Sequence, residues 1–304
     1  MMVAVVPLII EAALNGSTQK SRNPSVPRTV AEIAADGCAA IDAGATVVHN
    51  HNDDPNLGGP ARHRAEPYMA AWREILDRHP GVLLYPTMAG GGPGRSVEER
   101  NRHQVELVEA GLQRLLLIDP GTLNMGGVGA DGPDGGEVVY QTTFGDVRHL
   151  MAFARERGLA ATMSIYEPGF LQLALAHERS GLLPPGGLIR FYFCGGGPFG
   201  PINNLIFGLP PTALALDAYR EMLEGSGLAW MVAVLGGDVV STGMAELAIR
   251  NGGHVRVGLE DQFGPAQPTN RELVAQVAEL ASRLGRPLAT PEQAAEILLG
   301  GRGA

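Results

Sequence analysis

The stretch AGATVVHNHNDDPNLGG, residues 43–59, lays out one unit of the fold. A short link, residues 43–45, leads into a β-rich apolar run at 46–51 that ends on polar side chains, and a long loop, 52–65, follows. A short entry, an apolar strand and a long polar exit describe a βα unit of a parallel sheet. The pattern repeats along the chain. Strands are predicted at residues 3–10, 46–51, 82–87, 114–119, 160–166, 188–194, 229–235 and 254–259. Helical periodicity fills stretches between them, at 30–43, 67–78, 97–110, 146–157, 212–224 and 244–251, and continues at 270–284 and 291–299. The last helix opens on Thr290, Pro291 and Gln293, a capping box with proline at the first helical position.

Connections into strands are mostly short, such as 43–45, 225–227 and 251–253, whereas connections out of strands are long, such as 12–27, 52–65, 88–95, 120–137 and 195–204. In a (β/α)8 TIM barrel the long loops make the C-terminal face, where active sites sit. The sequence therefore predicts an α/β fold of this type, one domain over residues 1–304 with a C-terminal helical extension. A length of 304 residues with 45% hydrophobic composition is enough for it. An open doubly wound sheet is the alternative architecture, but it gives the first, second and eighth strands no reason to meet.

A net charge of −9 and the lack of any Lys/Arg run argue against nucleic acid as the main partner, because phosphate binding needs a clustered basic face. Only Cys38 and Cys194 are present, without a CxxC pair, so neither a disulfide framework nor a cysteine zinc site is expected. The opening apolar stretch lacks a basic leader and reaches Glu11 too early for a signal segment, and no run of roughly 18 apolar residues occurs. A reducing, cytoplasmic setting without membrane contact is expected.

Two segments carry the chemistry: HNH at 49–51 and GHVRVGLED at 253–261. On a strand, alternate residues share a face, so His49 and His51 point together, as do Arg256, Gly258 and Glu260. The eighth strand of a barrel neighbours the first and the first neighbours the second, which lets Glu260 converge with the histidine pair. Two imidazoles and a carboxylate suit a catalytic zinc or similar divalent ion with one coordination position left open. His63, His79, His103, His149 and His177 lack such convergence and read as surface or capping residues. His254, at the opposite end of its strand, reads as a satisfied core histidine.

A guanidinium pointing into a barrel needs a partner, and Asp261 or a substrate carboxylate could supply it for Arg256; a structural ion pair is the plain alternative. Asp261 could act as base, orienter or partner. Gly258 is expected to leave ligand space between Arg256 and Glu260. Thr87 offers a hydroxyl just before MAGGGPG (88–94), whose amides could approach an anion, although no Lys-Ser/Thr follows as in a P-loop and a simple turn fits as well. The segment GTLNMGG (121–127) is similar in character.

Taken in order, AALNG (12–16), NPSVP (23–27), AGATVVHNH (43–51), GTLNMG (121–126), YEPG (166–169), GGHVRVGLED (252–261) and RPLATPEQA (286–294) resemble the β-keto acid cleavage enzymes, the family that includes 3-keto-5-aminohexanoate cleavage enzyme. The resemblance implies a zinc-bearing barrel, usually a homotetramer, that converts a β-keto acid and acetyl-CoA to acetoacetate and a new acyl-CoA. It implies zinc on His49, His51 and Glu260, a catalytic dyad of Arg256 and Asp261, and a catalytic hydroxyl at Thr87. Three departures stand out. Thr18 occupies the place of a Glu that pairs with an amino substrate; the family's HxHxRD becomes His49, Asn50, His51, Asn52, Asp53; and Leu117 replaces a fourth-strand Thr. These changes bear on the acyl part of the substrate and leave the metal ligands and dyad in place. The competing functions are a metal-dependent hydrolase of a small carboxylate, which needs further His or Lys ligands on the middle strands that are not found, and a noncatalytic metabolite-binding barrel.

Overall fold

The computed structural model describes residues 6–52, 63–89, 95–124, 126–134, 139–200 and 202–300. Its main sheet holds eight strands: β1 (Ile10–Ala13), β2 (Val47–Asn50), β3 (Leu83–Pro86), β4 (Leu115–Ile118), β5 (Ala160–Ile165), β6 (Gly187–Cys194), β7 (Ala229–Leu235) and β8 (His254–Val257). All ladders in this sheet are parallel, and they run in the spatial order β3, β2, β1, β8, β7, β6, β5, β4. Strands β3 and β4 lie alongside each other at the seam. The sheet is thus nearly closed into a (β/α)8 barrel, and β1 sits between β2 and β8 as barrel order requires.

Nine helices are described: α1 (Val30–Asp42), α2 (Glu66–Arg78), α3 (Val97–Glu109), α4 (Phe144–Arg157), α5 (Pro168–Arg179), α6 (Ala213–Met222), α7 (Met244–Arg250), α8 (Asn270–Arg283) and α9 (Pro291–Leu299). Most begin on a threonine or serine whose side chain accepts from an amide in the first turn, and α1, α4, α8 and α9 carry full capping boxes. Helix α5 is additional to the helices predicted from periodicity, and it starts on Pro168. The βα loops after β4 and β6 contain small antiparallel pairings, Gly126–Gly129 with Gly132–Asp134 and with Leu205–Ile206.

The first strand is displaced from its predicted place at 3–10. Ile10 and Ala12 pair with Val255 and Val257, and Ala13 pairs with His49, so the strand that reaches the active end begins where the apolar run stops. The run instead leads up from the opposite end, where Leu8 bridges Leu288 and Arg286 bonds the carbonyls of Val6, Ile249 and Gly253. Residues 3–5 lie outside the described residues. The barrel interior is unusual for the fold, where branched apolar residues ordinarily fill the layers. Here Glu11, Arg190 and Arg256, all essentially inaccessible, form an ionic layer across the core.

Candidate active site

The β2 segment delivers His49 on the strand and His51 one step beyond it, and a network of amides fixes both. Trp72 donates Nε1–H to Asn50 Oδ1 at 2.8 Å, while Asn15 accepts from the His51 amide at 2.8 Å and donates to its carbonyl at 3.0 Å. Asn15 Nδ2 also bonds Pro27 O, folding residues 14–27 against the site. His49 Nδ1 lies 3.2 Å from the Tyr85 carbonyl. A carbonyl can only accept, so Nδ1 carries the proton and the Nε2 lone pair faces Glu260.

Glu260 arrives differently from the prediction. Strand β8 ends at Val257, and residues 258–261 form a turn in which the Asp261 and Gln262 amides bond Gly258 O. Gly258 has φ +153, and a β-carbon there would stand 2.0 Å from Ala13 O. The room expected for a ligand beside Gly258 is therefore taken by the Ala13 backbone. The turn swings Glu260 toward the histidines: its carboxylate oxygens lie 3.1 Å from His49 Nε2 and 3.4 Å from His51 Nε2. One ligand atom from each of the three residues falls within 4.8 Å of the others.

The donor set fits a divalent cation. Both ring nitrogens of His51 are buried without a hydrogen-bond partner, a costly state for an imidazole unless an ion takes up a lone pair. Burial holds His49 down to about 4, so it is neutral and able to ligate at ordinary pH. Burial pushes the Glu260 carboxyl up, but Arg256 and the two histidines outweigh it and keep the group well below the usual carboxylate range.

Arg256 is the hub of the charge network. Its Nε and Nη2 grip Asp261 in a two-point fork at 2.7 and 3.1 Å, Nη2 reaches Glu260 Oε1 at 3.0 Å, and Nη1 donates to Glu11 Oε1 at 2.9 Å. Three carboxylates share one guanidinium. Burial, helped by Glu260 and Glu11, pushes Asp261 up to about 6 despite the fork. Glu11 is balanced by a second cation, Arg190, whose Nη2 donates at 2.7 Å; although burial opposes its charge, the two arginines keep it below its ordinary range.

Thr18 is buried and donates to Leu259 O at 2.8 Å, beside Glu260. Thr87 sits at the end of β3, buried, with its hydroxyl 3.4 Å from Met88 O and its carbonyl 2.6 Å from His103 Nε2. No hydrogen bond joins it to the three-residue cluster among the described residues. Leu117 is buried on β4. Asp53, residues 90–94 of the glycine-rich loop and Met125 lie outside the described residues.

Several histidines depart from their surface reading. His63, His103 and His177 are buried: His63 meets Tyr68 OH at 2.9 Å, and burial lowers His103 to about 4. His103 and His177 lie on the buried faces of α3 and α5, and His63 just before α2, settings that sequence position alone does not disclose. His254 is the core histidine expected, its Nδ1 accepting from the Ile9 amide at 3.0 Å. Glu11, Tyr85 and Arg190 join the network around Arg256 beyond the residues that strand parity assigns. The available signal was a charged residue inside an apolar run, LIIEAA for Glu11 and LIRFYF for Arg190, which demands a buried partner.

Asp119, just past β4, is a further buried acid, hydrogen-bonded by Tyr140 and pushed up by burial. Among the described residues, no helix is long and apolar enough to cross a membrane.

A sequence-family model described as beta-keto acid cleavage enzyme matches residues 7–299. The chain is 31% identical, over 96% of its length and 97% of the relative's, to a 3-keto-5-aminohexanoate cleavage enzyme of Fusobacterium nucleatum subsp. nucleatum. It is 29% identical, over 96% and 94%, to a 3-oxoadipate:acetyl-CoA acetyltransferase of Cupriavidus necator. The apo structure of ObcA shares the fold with a TM-score of 0.67 at 19% identity, over 92% of this chain and 66% of that one. With a match that runs nearly end to end, this chain belongs to the β-keto acid cleavage enzyme family.

Proposed function

We propose that this protein is a zinc-dependent acyltransferase that reacts a β-keto acid with acetyl-CoA, giving acetoacetate and the acyl-CoA of the remaining fragment. The atoms balance: the carbon–carbon bond between the ketone carbon and C2 breaks, the acyl fragment passes to the CoA sulfur, and the acetyl group joins C2. The observation that carries the reading is the convergence, at one end of a barrel, of His49, His51 and Glu260 with the forked pair Arg256 and Asp261. Family membership supports it, as does a relative named for acetyl-CoA-dependent transfer.

His49, His51 and Glu260 would hold the zinc, which when bound polarises the keto acid's carbonyl and stabilises developing enolate charge. Asp261 is the group able to accept the C2 proton. Arg256 stays protonated and orients that carboxylate through its planar fork. Thr87, buried just past β3, would donate its hydroxyl to substrate, and Thr18 would bound the acyl side. The same reading includes a homotetramer; exposed Phe144, Val128 and Ile206 offer apolar surface for subunit contact, which light scattering would test.

A panel of β-keto acids incubated with acetyl-CoA, read out as acetoacetate, tests the assignment. Acetoacetate release that needs both substrates and stops on zinc removal is the expected result. Cleavage of the keto acid without acetyl-CoA, giving acetate and the free carboxylic acid of the acyl fragment, would instead mark a hydrolase.

A further inference from the structure

Tyr85 touches both halves of the site. Register sets it directly opposite His49 in the β2–β3 ladder, its carbonyl takes the His49 Nδ1 proton, and its ring stacks on the imidazole at 4.6 Å between centroids and 28° between planes. At the other end of the same side chain, the hydroxyl donates to Glu11 Oε1 at 2.5 Å and accepts from Arg256 Nη1 at 3.1 Å. The Arg190 guanidinium lies 5.1 Å from the ring centroid and grips the second oxygen of Glu11 at 2.7 Å. Thr162 and Ser164 in turn hold Arg190, at 2.8 and 3.2 Å. The ring is fully buried, so none of these contacts competes with water.

From this geometry we infer that Tyr85 is a positioning residue that locks a metal ligand and the Arg256–Asp261 fork into one rigid unit, with Glu11 and Arg190 as its clamp. The inference rests on the proposed function and adds to it a residue that touches neither ion nor substrate. The two ends of the side chain have separable jobs. The stacked ring and the backbone carbonyl set the orientation of His49, an outer-layer contact of the kind that tunes metal sites. The hydroxyl fills the corner between Glu11 and Arg256. Without it, Nη1 of Arg256 keeps only the Glu11 carboxylate, and the guanidinium that forks onto Asp261 is held less firmly in place.

Separability gives the test. Tyr85→Phe keeps the ring and the carbonyl, so the zinc Kd, measured by competition with a chromophoric chelator, should stay within about threefold of wild type while kcat falls about 10- to 100-fold with KM little changed. Tyr85→Leu removes the stack as well, and its zinc Kd should weaken by about 10- to 100-fold. If Tyr85→Leu does not fold, Tyr85→Met, closer in reach, carries the same expectation. Wild-type kcat in Tyr85→Phe, or a wild-type zinc Kd in the variant lacking the ring, overturns the coupling. A wild-type protein that neither binds zinc nor turns over any keto acid overturns the functional reading and the coupling with it, so the two failures are distinguishable.

Discussion

Gly16 and Glu260 are packed so closely that a β-carbon on Gly16 would stand 2.3 Å from Glu260 Cγ. Gly16 also has φ +48, a conformation that costs a residue with a side chain roughly 1–2 kcal/mol. The AALNG segment thus shapes the cluster of His49, His51 and Glu260 through a residue that has no side chain. Gly16→Ala should push Glu260 away from the histidines, and a zinc titration should show affinity lowered about tenfold or more. Unchanged zinc affinity would mean that Glu260 can shift without loss, and the carboxylate would then not be a required ligand.

Arg256 and Asp261 should behave as one unit, because the fork and the shared burial make each the counter-ion of the other. Arg256→Lys keeps a cation among three carboxylates but loses the planar two-point contact, and kcat/KM should fall about 100-fold or more. In a double-mutant cycle with Asp261→Asn, the combined loss should be much smaller than the sum of the separate losses in activation free energy. Additive losses would show two independent residues.

Substrate charge should follow Thr18. Its hydroxyl is engaged by Leu259 O, Glu11 is engaged by two arginines, and neither offers a free counter-charge to an ammonium. Desolvating an unpaired cation costs several kcal/mol, so a neutral or anionic β-keto acid should give the higher kcat/KM in a matched pair. Thr18→Glu should move preference toward the amino-substituted member. A wild-type preference for the cationic member would show that another acid, such as Glu11 or Asp53, does the recognition.

Stability should carry a pH signature from Asp36, on the inner side of α1. Burial pushes its carboxyl up to about 6, only partly offset by the Asn270 amide donating at 2.5 Å. A folded-state value above the unfolded one means that the fold binds the proton more tightly than the unfolded chain. The group therefore destabilises the fold above about pH 6, and the penalty fades as pH falls through 6 toward the ordinary aspartate value. Asp36→Asn keeps an acceptor for Asn270 and should stabilise by roughly 1–2 kcal/mol at pH 7.5, with little gain near pH 4. Urea unfolding at both values checks this, and a gain that is larger at pH 4 would reverse the sign.

Helices and barrel order were legible because capping threonines and short links are local signals, readable without knowing the partner. The site was half legible. His49 and His51 follow strand alternation, but Glu260 reaches them through the Gly258 turn, so the residue that parity points to converges with the histidines by a different geometry. The ionic layer is not legible in the sequence because Glu11, Arg190 and Arg256 come from three separate strands, and only register places the charges together. The first strand was misplaced for a related reason: an apolar run says that a segment is buried and not how far along the barrel axis it lies.

The bridge between Leu8 and Leu288, together with the Glu11–Arg256 pair 245 residues apart, bears on how the molecule is born. On a ribosome, β1 has β2 for a partner early but must wait for nearly the whole chain before β8 can seal its other edge. Until then a buried acid and an unpaired strand edge are open to solvent and to other nascent chains. Topology of this kind folds slowly, since distant pairings are entropically late. The last helices, which bring Arg286 and Leu288 to the base of the barrel, therefore set the moment at which the first strand becomes safe from misassembly.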